Sequence, residues 1–180
     1  MNTMTDVQRR RLLEIARDSI TSALLRRRPA PLVEPWLGEP GACFVTLTIG
    51  GALRGCVGSL ESRRALGEDV AANAISAAFD DTRFTPVTAS EIGGLCIEIS
   101  LLSPLERIAA RTEAEALASI RPGTDGLVVR RGARRGTLLP QVWEDLPDAA
   151  EFLGHVKRKA GLPATLWDDQ MELYRYTVSH

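Results

Sequence analysis

The segment Leu53-Arg54-Gly55-Cys56-Val57-Gly58 concentrates chemistry in six residues: a thiol between two glycines, two positions after an arginine. A thiolate is a strong nucleophile, and a neighbouring cation favours it over the thiol. On an extended chain, side chains i and i+2 share a face, so Arg54 and Cys56 project together while Leu53, Gly55 and Val57 turn the other way. Gly55 and Gly58 would let backbone N–H groups approach a ligand without a Cβ in the way. The chain then runs towards a helix, whose N-terminal end favours anions. The stretch therefore suits a small anionic or carbonyl-bearing substrate, with Cys56 as the catalytic thiol and Arg54, Gly55 and Gly58 holding the substrate. The competing reading is packing, because free cysteine is among the most buried residue types.

A nucleophilic cysteine usually works with histidine. His180 ends the chain and His155 sits on a helix beside Phe152 and Val156, so neither is a persuasive partner. Glu98 is the better acid or base. Residues 95 to 101 alternate, with Leu95, Ile97, Ile99 and Leu101 on one face and Cys96, Glu98 and Ser100 on the other. This sets Glu98 towards a cleft, where a structural salt bridge to Arg54 or Arg83 is the alternative. Arg83, in Asp81-Thr82-Arg83-Phe84, is a second substrate-binding candidate, against a role as turn brace. Gln141 follows Pro140 in an apolar stretch and needs a hydrogen-bond partner if it is buried. It would orient a ligand or tie two parts of the fold together.

The elements that must position these groups follow from periodicity and breakers. Thr5 or Asp6 can cap a helix carrying Leu12, Leu13, Ala16, Ile20, Ala23 and Leu24, which ends before Pro29. Residues 26 to 41 form a loop pinned by Trp36 and Leu37. Residues 44 to 49 and 52 to 57 flank Gly50-Gly51 as a β-hairpin. A helix rich in alanine is expected over about residues 64 to 79, broken by Asp80 to Pro86, with a helical turn at Ser90 to Ile92. Further on, the sequence predicts a helical patch within 105 to 120 and a hairpin of 127 to 130 with 136 to 139. An Asp148-capped helix ended by Gly161 and Pro163 follows, and then a last strand over 171 to 178. Strands and helices do not alternate as βαβ units, so the fold class is α+β with a largely antiparallel sheet flanked by helices.

At 180 residues, with 44% hydrophobic and 25% charged residues, the chain can build a core without disulfides. No apolar run approaches the roughly 20 residues that span a bilayer. Met1 to Asp6 lacks the basic start and apolar centre of a secretory leader, which makes a cytoplasmic location the default. Cys43, Cys56 and Cys96 show no C-x-x-C pair, and only two histidines accompany them. This argues against a disulfide framework or a zinc site, and no metal or other cofactor is expected. A net charge of −1, arginine clusters with little interleaved aromatic content, and 20 arginines against two lysines argue against nucleic acid. There is no Walker loop, Rossmann fingerprint, H-E-x-x-H or G-x-S-x-G.

The Leu53 to Gly58 segment also resembles the Leu-Arg-Gly-Cys-Ile-Gly signature of the AMMECR1-domain family, with Val57 in place of isoleucine. The resemblance continues in order through Phe44-Val45-Thr46-Leu47, Asp81-Thr82-Arg83-Phe84-Thr85-Pro86, Glu98-Ile99-Ser100-Leu101-Leu102-Ser103-Pro104, Leu138-Leu139-Pro140-Gln141-Val142 and Lys159-Ala160-Gly161-Leu162. Lys157 departs from it, standing where many relatives carry a cysteine, which weakens any mechanism needing a second thiol there. The resemblance implies one domain over residues 1 to 180, matched from about 8 to 178. It also implies an α+β fold with a larger and a smaller lobe and a cleft lined by the cysteine motif. It extends to the AmmeMemoRadiSam system, which implies a Memo-like protein and a radical SAM enzyme as partners. Two functional readings stand. One is an enzyme acting on a small anionic or carbonyl-bearing substrate; the other is a non-catalytic module that binds a peptide or a partner protein. An exposed edge strand or the Trp36 loop could support a homodimer.

Overall fold

The computed structural model describes residues 4–180; Met1 to Thr3, which belong to the stretch read above for a leader, lie outside them. The chain forms two compact units, Met1–Leu102 with Ser179–His180, and Ser103–Val178.

In the first unit, Thr5 caps α1 (Asp6–Leu24). Its hydroxyl accepts the Gln8 N–H at 3.2 Å, and the Gln8 side chain accepts the Thr5 N–H at 2.9 Å. This box satisfies two donors that a helix start otherwise leaves open. Leu12, Ile15, Ala16 and Ile20 form the buried stripe, while Leu13, expected on it, is 39% exposed at its margin. After the loop come β1 (Pro40–Gly41), β2 (Cys43–Ile49), β3 (Ala52–Gly58), β4 (Arg64–Ala65) and α2 (Leu66–Phe79). Gly50 and Gly51 take φ of 58° and 82°, as a two-residue hairpin turn matched to strand twist requires. The helix expected from about residue 64 starts at Leu66, because Arg64 and Ala65 pair with Gly41 and Pro40. A 3-10 turn over Ala89–Gly94 leads into β5 (Leu95–Leu102).

β2 is antiparallel to both β3 and β5, and the sheet order ends in β10 (Val178–Ser179), as β10-β5-β2-β3. Cys43, Val45 and Leu47 face inward and are fully buried with Ile20, Val70 and Ala74 of the helices. Burying each large aliphatic side chain contributes about 1.5–3 kcal/mol relative to exposure. Thr46 and Thr48 therefore point to the opposite face, away from α1 and α2. Trp36 and Leu37 pin the preceding loop to this core, as their sequence context suggests.

The second unit holds β6 (Glu106–Ile108), α3 (Glu113–Ser119), β7 (Gly126–Arg131), β8 (Arg134–Leu138), α4 (Ala149–Lys159) and β9 (Glu172–Tyr176), with sheet order β6-β9-β7-β8. The helical patch expected within 105–120 is shorter than predicted: β6 pairs with β9, and Thr112 caps α3 only from Glu113. Trp143 stacks on Phe152 with ring centroids 3.8 Å apart, and its indole N–H donates to the Asp125 carbonyl at 2.7 Å. Asp148 caps α4, accepting the Glu151 N–H at 2.9 Å. The fold is α+β with antiparallel sheets flanked by helices. Among the described residues no helix is long and apolar enough to cross a membrane.

Candidate functional site

The register of the first sheet sets the site. Thr46 on β2 is opposite Cys56 on β3 and Glu98 on β5, so the three side chains form a row on the face away from the helices. β3 is the edge strand, and both backbone groups of Cys56 turn outward from the sheet. Its N–H donates to Asp81 Oδ2 at 2.9 Å, and its carbonyl accepts from Arg83 Nη2 at 3.3 Å. Thr46 and Cys56 are thus a non-hydrogen-bonded pair, the geometry that brings side chains closest across an antiparallel ladder. The Thr46 hydroxyl lies 3.4 Å from Cys56 Sγ.

The Asp81–Arg83 pair acts as a clamp on the strand edge, with Nη2 at 2.7 Å and Nε at 2.9 Å from the carboxylate. The hydrogen bond from Arg83 is the main reason the Asp81 carboxyl is held well below the usual carboxylate range. Arg83 is shifted upward, chiefly by that same bond. The cation bonded to the backbone of Cys56 is therefore Arg83.

Arg54 does something else. The ladder slips between Leu47 and Thr48, pairing Thr48 with Leu53 and Leu47 with Gly55, so Arg54 has no partner on β2. A bulge breaks the i, i+2 rule. The Arg54 guanidinium turns to the 85–91 loop instead: Glu91 at 2.8 Å, the Thr85 carbonyl at 2.7 Å and the Pro86 carbonyl at 3.3 Å. It pulls the Glu91 carboxyl down to about 2, with help from the Thr88 N–H and hydroxyl.

The two glycines are explained by packing. A Cβ on Gly55 would stand 2.0 Å from the Ala77 carbonyl oxygen of α2, and one on Gly58 would strike the Phe44 ring at 2.3 Å. The first turn of α2 carries a buried carboxylate. Buried Asp69 accepts from the Cys43 N–H at 3.1 Å, Ser59 Oγ at 2.7 Å, Asn73 Nδ2 at 2.9 Å and Arg64 Nη2 at 2.9 Å.

Glu98 reaches the expected face but is more than half exposed, and its partner is neither Arg54 nor Arg83. His180 Nδ1 lies 3.4 Å from its carboxylate and 3.3 Å from Ser100 Oγ. Two strand spacings, about 10 Å, separate Cys56 from Glu98, so no proton passes directly between them. Gln141 belongs to the second unit, where β8 stops at Leu138 and Pro140 opens a 3-10 turn. It is exposed there, so it needs no buried partner.

Thr46 and His180 are not singled out by the sequence, because the exact hairpin register sets Thr46 beside Cys56 and the fold brings His180 to Glu98 from far along the chain. Cys43 is the contrasting thiol, fully buried and pushed up to about 12 chiefly by burial. Cys96 is exposed, and all three cysteines are free. No group of three or more His, Cys, Asp or Glu that could hold a metal occurs among the described residues.

Comparison with known proteins places this arrangement in a family. A protein of Methanosarcina barkeri is 39% identical over 171 residues, 91% of this chain and 84% of the relative. A protein of Methanothermobacter thermautotrophicus is 40% identical over 173 residues, 93% of this chain and 90% of its own. The crystal structure of an uncharacterized protein from Pyrococcus horikoshii superposes with a TM-score of 0.89 at 35% identity, covering 97% of this chain and 91% of that one. The AMMECR1 family model matches residues 13–180, a span that includes the cysteine hairpin, its Asp81–Arg83 clamp and all of the second unit, and the chain belongs to the AMMECR1 family.

Proposed function

We propose that the outward face of the first sheet is a thiol-centred site for a small anionic or carbonyl-bearing molecule. Cys56 is its nucleophile, Arg83 the cation bonded to the Cys56 carbonyl, and Glu98 with His180 its far wall. The carrying observation is the half-buried Cys56 thiol beside the Thr46 hydroxyl, on a strand clamped by Asp81 and Arg83. In this reading the thiolate adds to the substrate carbonyl carbon, a C–S bond forms, and the carbonyl electron pair moves to oxygen. The Thr46 hydroxyl is placed to donate a hydrogen bond to the thiolate beforehand. A substrate lying across Thr46 would reach Glu98 and His180 at its other end. Arg54 supports this from behind by bracing the loop that follows the clamp.

A second reading keeps the same face but without chemistry. The roughly 10 Å gap between Cys56 and the Glu98–His180 pair favours a module that binds a peptide or partner. A Memo-like protein and a radical SAM enzyme are the partners that the family resemblance suggests for it.

Alkylation of the native protein across pH, with peptide mapping, tests the first reading. Cys56 should react faster than exposed Cys96 near neutral pH and slow at least several-fold in Arg83→Ala. The same rate at both cysteines, or no response to Arg83→Ala, would leave the thiol without activation and move the weight to the binding module.

A further inference from the structure

The second unit holds a separate concavity of about 500 Å³, lined by Arg107, Arg111, Glu115, Trp167, Met171 and Leu173 among others. This is within the size range of small-molecule sites. Its aromatic wall is held in place. The Trp167 indole N–H donates to the Arg111 carbonyl at 3.2 Å, and the Lys157 ammonium lies 5.6 Å from the ring centroid. Lys157 is itself fully buried, bonded to Glu113 at 2.5 Å and to the Ala164 carbonyl at 3.1 Å. A buried, bonded lysine thus lies over this ring.

The charged groups on the wall are not equally committed. Glu115 accepts the Arg111 backbone N–H at 2.7 Å, which ties its carboxylate to the chain. Arg107 is 3.8 Å from Glu172, with both side chains largely in solvent, a loose pair worth little. The Arg111 guanidinium has no hydrogen bond or ion pair among the described residues. A pocket with a fixed indole, an apolar floor of Ile108, Met171 and Leu173, and two available guanidinium groups recognises one kind of ligand. A flat ring stacks on the indole, and its anionic group takes the guanidinium fork. Because the indole is held before binding, little side-chain ordering remains to be lost.

We propose that this pocket binds a planar aromatic anion, its ring on Trp167 and its carboxylate or phosphate on Arg111 and Arg107. The proposal is independent of the thiol site, since every residue it uses belongs to the second unit.

Calorimetric titration of the full chain with 2-naphthoate and 2-naphthyl phosphate tests it and distinguishes a carboxylate from a phosphate ligand. 2-Naphthalenemethanol serves as the uncharged control and cyclohexanecarboxylate as the non-aromatic one. At least one naphthyl anion should bind tenfold or more tightly than both controls. Arg111→Ala, on an exposed side chain and therefore safe for folding, should remove most of that preference, and Trp167→Leu should abolish discrimination against cyclohexanecarboxylate. Cys56→Ser should leave the affinity unchanged. Failure of both naphthyl anions to bind at several millimolar, or binding unaltered in Arg111→Ala, would overturn the assignment. Should Trp167→Leu misfold, Arg111→Glu reads the same site through charge alone, with loss of anion binding expected and retention refuting it.

Discussion

Each unit presses one glycine of a hairpin's returning strand against the backbone of a helix. An added Cβ would stand 2.0 Å from the Ala77 carbonyl oxygen at Gly55 and 2.5 Å from the Val156 carbonyl oxygen at Gly136. The units differ in the residue that follows. Thr137, after Gly136, is committed, donating to the Leu127 carbonyl at 2.8 Å and meeting the buried Tyr176 hydroxyl at 3.0 Å. Cys56, after Gly55, is half-buried, and among the described residues the Thr46 hydroxyl is the one hydrogen-bond partner of its sulfur. Since the same close approach occurs in a hairpin without a thiol, packing accounts for Gly55 in the cysteine motif.

The largest expected effect tests the shared half of this comparison. Gly55→Ala and Gly136→Ala should each lose about 3 kcal/mol in urea unfolding, because backbone, unlike a side-chain tip, cannot give way. If Gly55→Ala keeps stability to within about 1 kcal/mol while Gly136→Ala does not, Gly55 serves the site and the parallel breaks.

The next effects test the differing half. Thr137→Val should cost about 1–2 kcal/mol by leaving buried polar groups short of a partner. Cys56→Ser should change stability by less than about 0.5 kcal/mol. A Cys56→Ser loss as large as that of Thr137→Val would make the thiol a packing residue.

Asp81→Asn should cost about 1 kcal/mol near neutral pH, and the cost should depend on acidity. The folded-state pKa of Asp81 is lowered, chiefly by Arg83. Its stabilisation is therefore fully present above the unfolded value of about 3.9 and disappears as pH falls through the lower folded value. The gap between wild type and variant should be constant from about pH 5 upward and close below about pH 4. A gap that persists unchanged into strong acid would show that the Asp81–Arg83 clamp is not what holds the edge of β3.

The smallest effect concerns the thiols alone. With its pKa pushed up to about 12, Cys43 should resist neutral alkylation until urea unfolds the chain. Labelling of Cys43 in the folded state at the rate of Cys96 would mean that the first core opens far more often than its burial implies.

Local rules were enough for much of this molecule. Gly50-Gly51 announces its turn because only glycine takes two positive φ values cheaply. The alternation from Leu95 to Leu101 separates the core face from the face bearing Glu98, and the Leu53 to Gly58 motif points to the family. Those signals lie within a few residues of one another, where periodicity and steric limits act. What only tertiary structure decided are the partners. A single slip of register took Arg54 from Cys56 to Glu91, strand pairing set Thr46 between Cys56 and Glu98, and the chain's last residue came to rest on Glu98. Gln141 lost its expected burial to a proline-initiated turn, and Lys157 and Trp167 met across a helix and a loop. Such contacts depend on which strand edge and which helix face meet, a choice made by the summed burial of the whole core and not by any local run of residues.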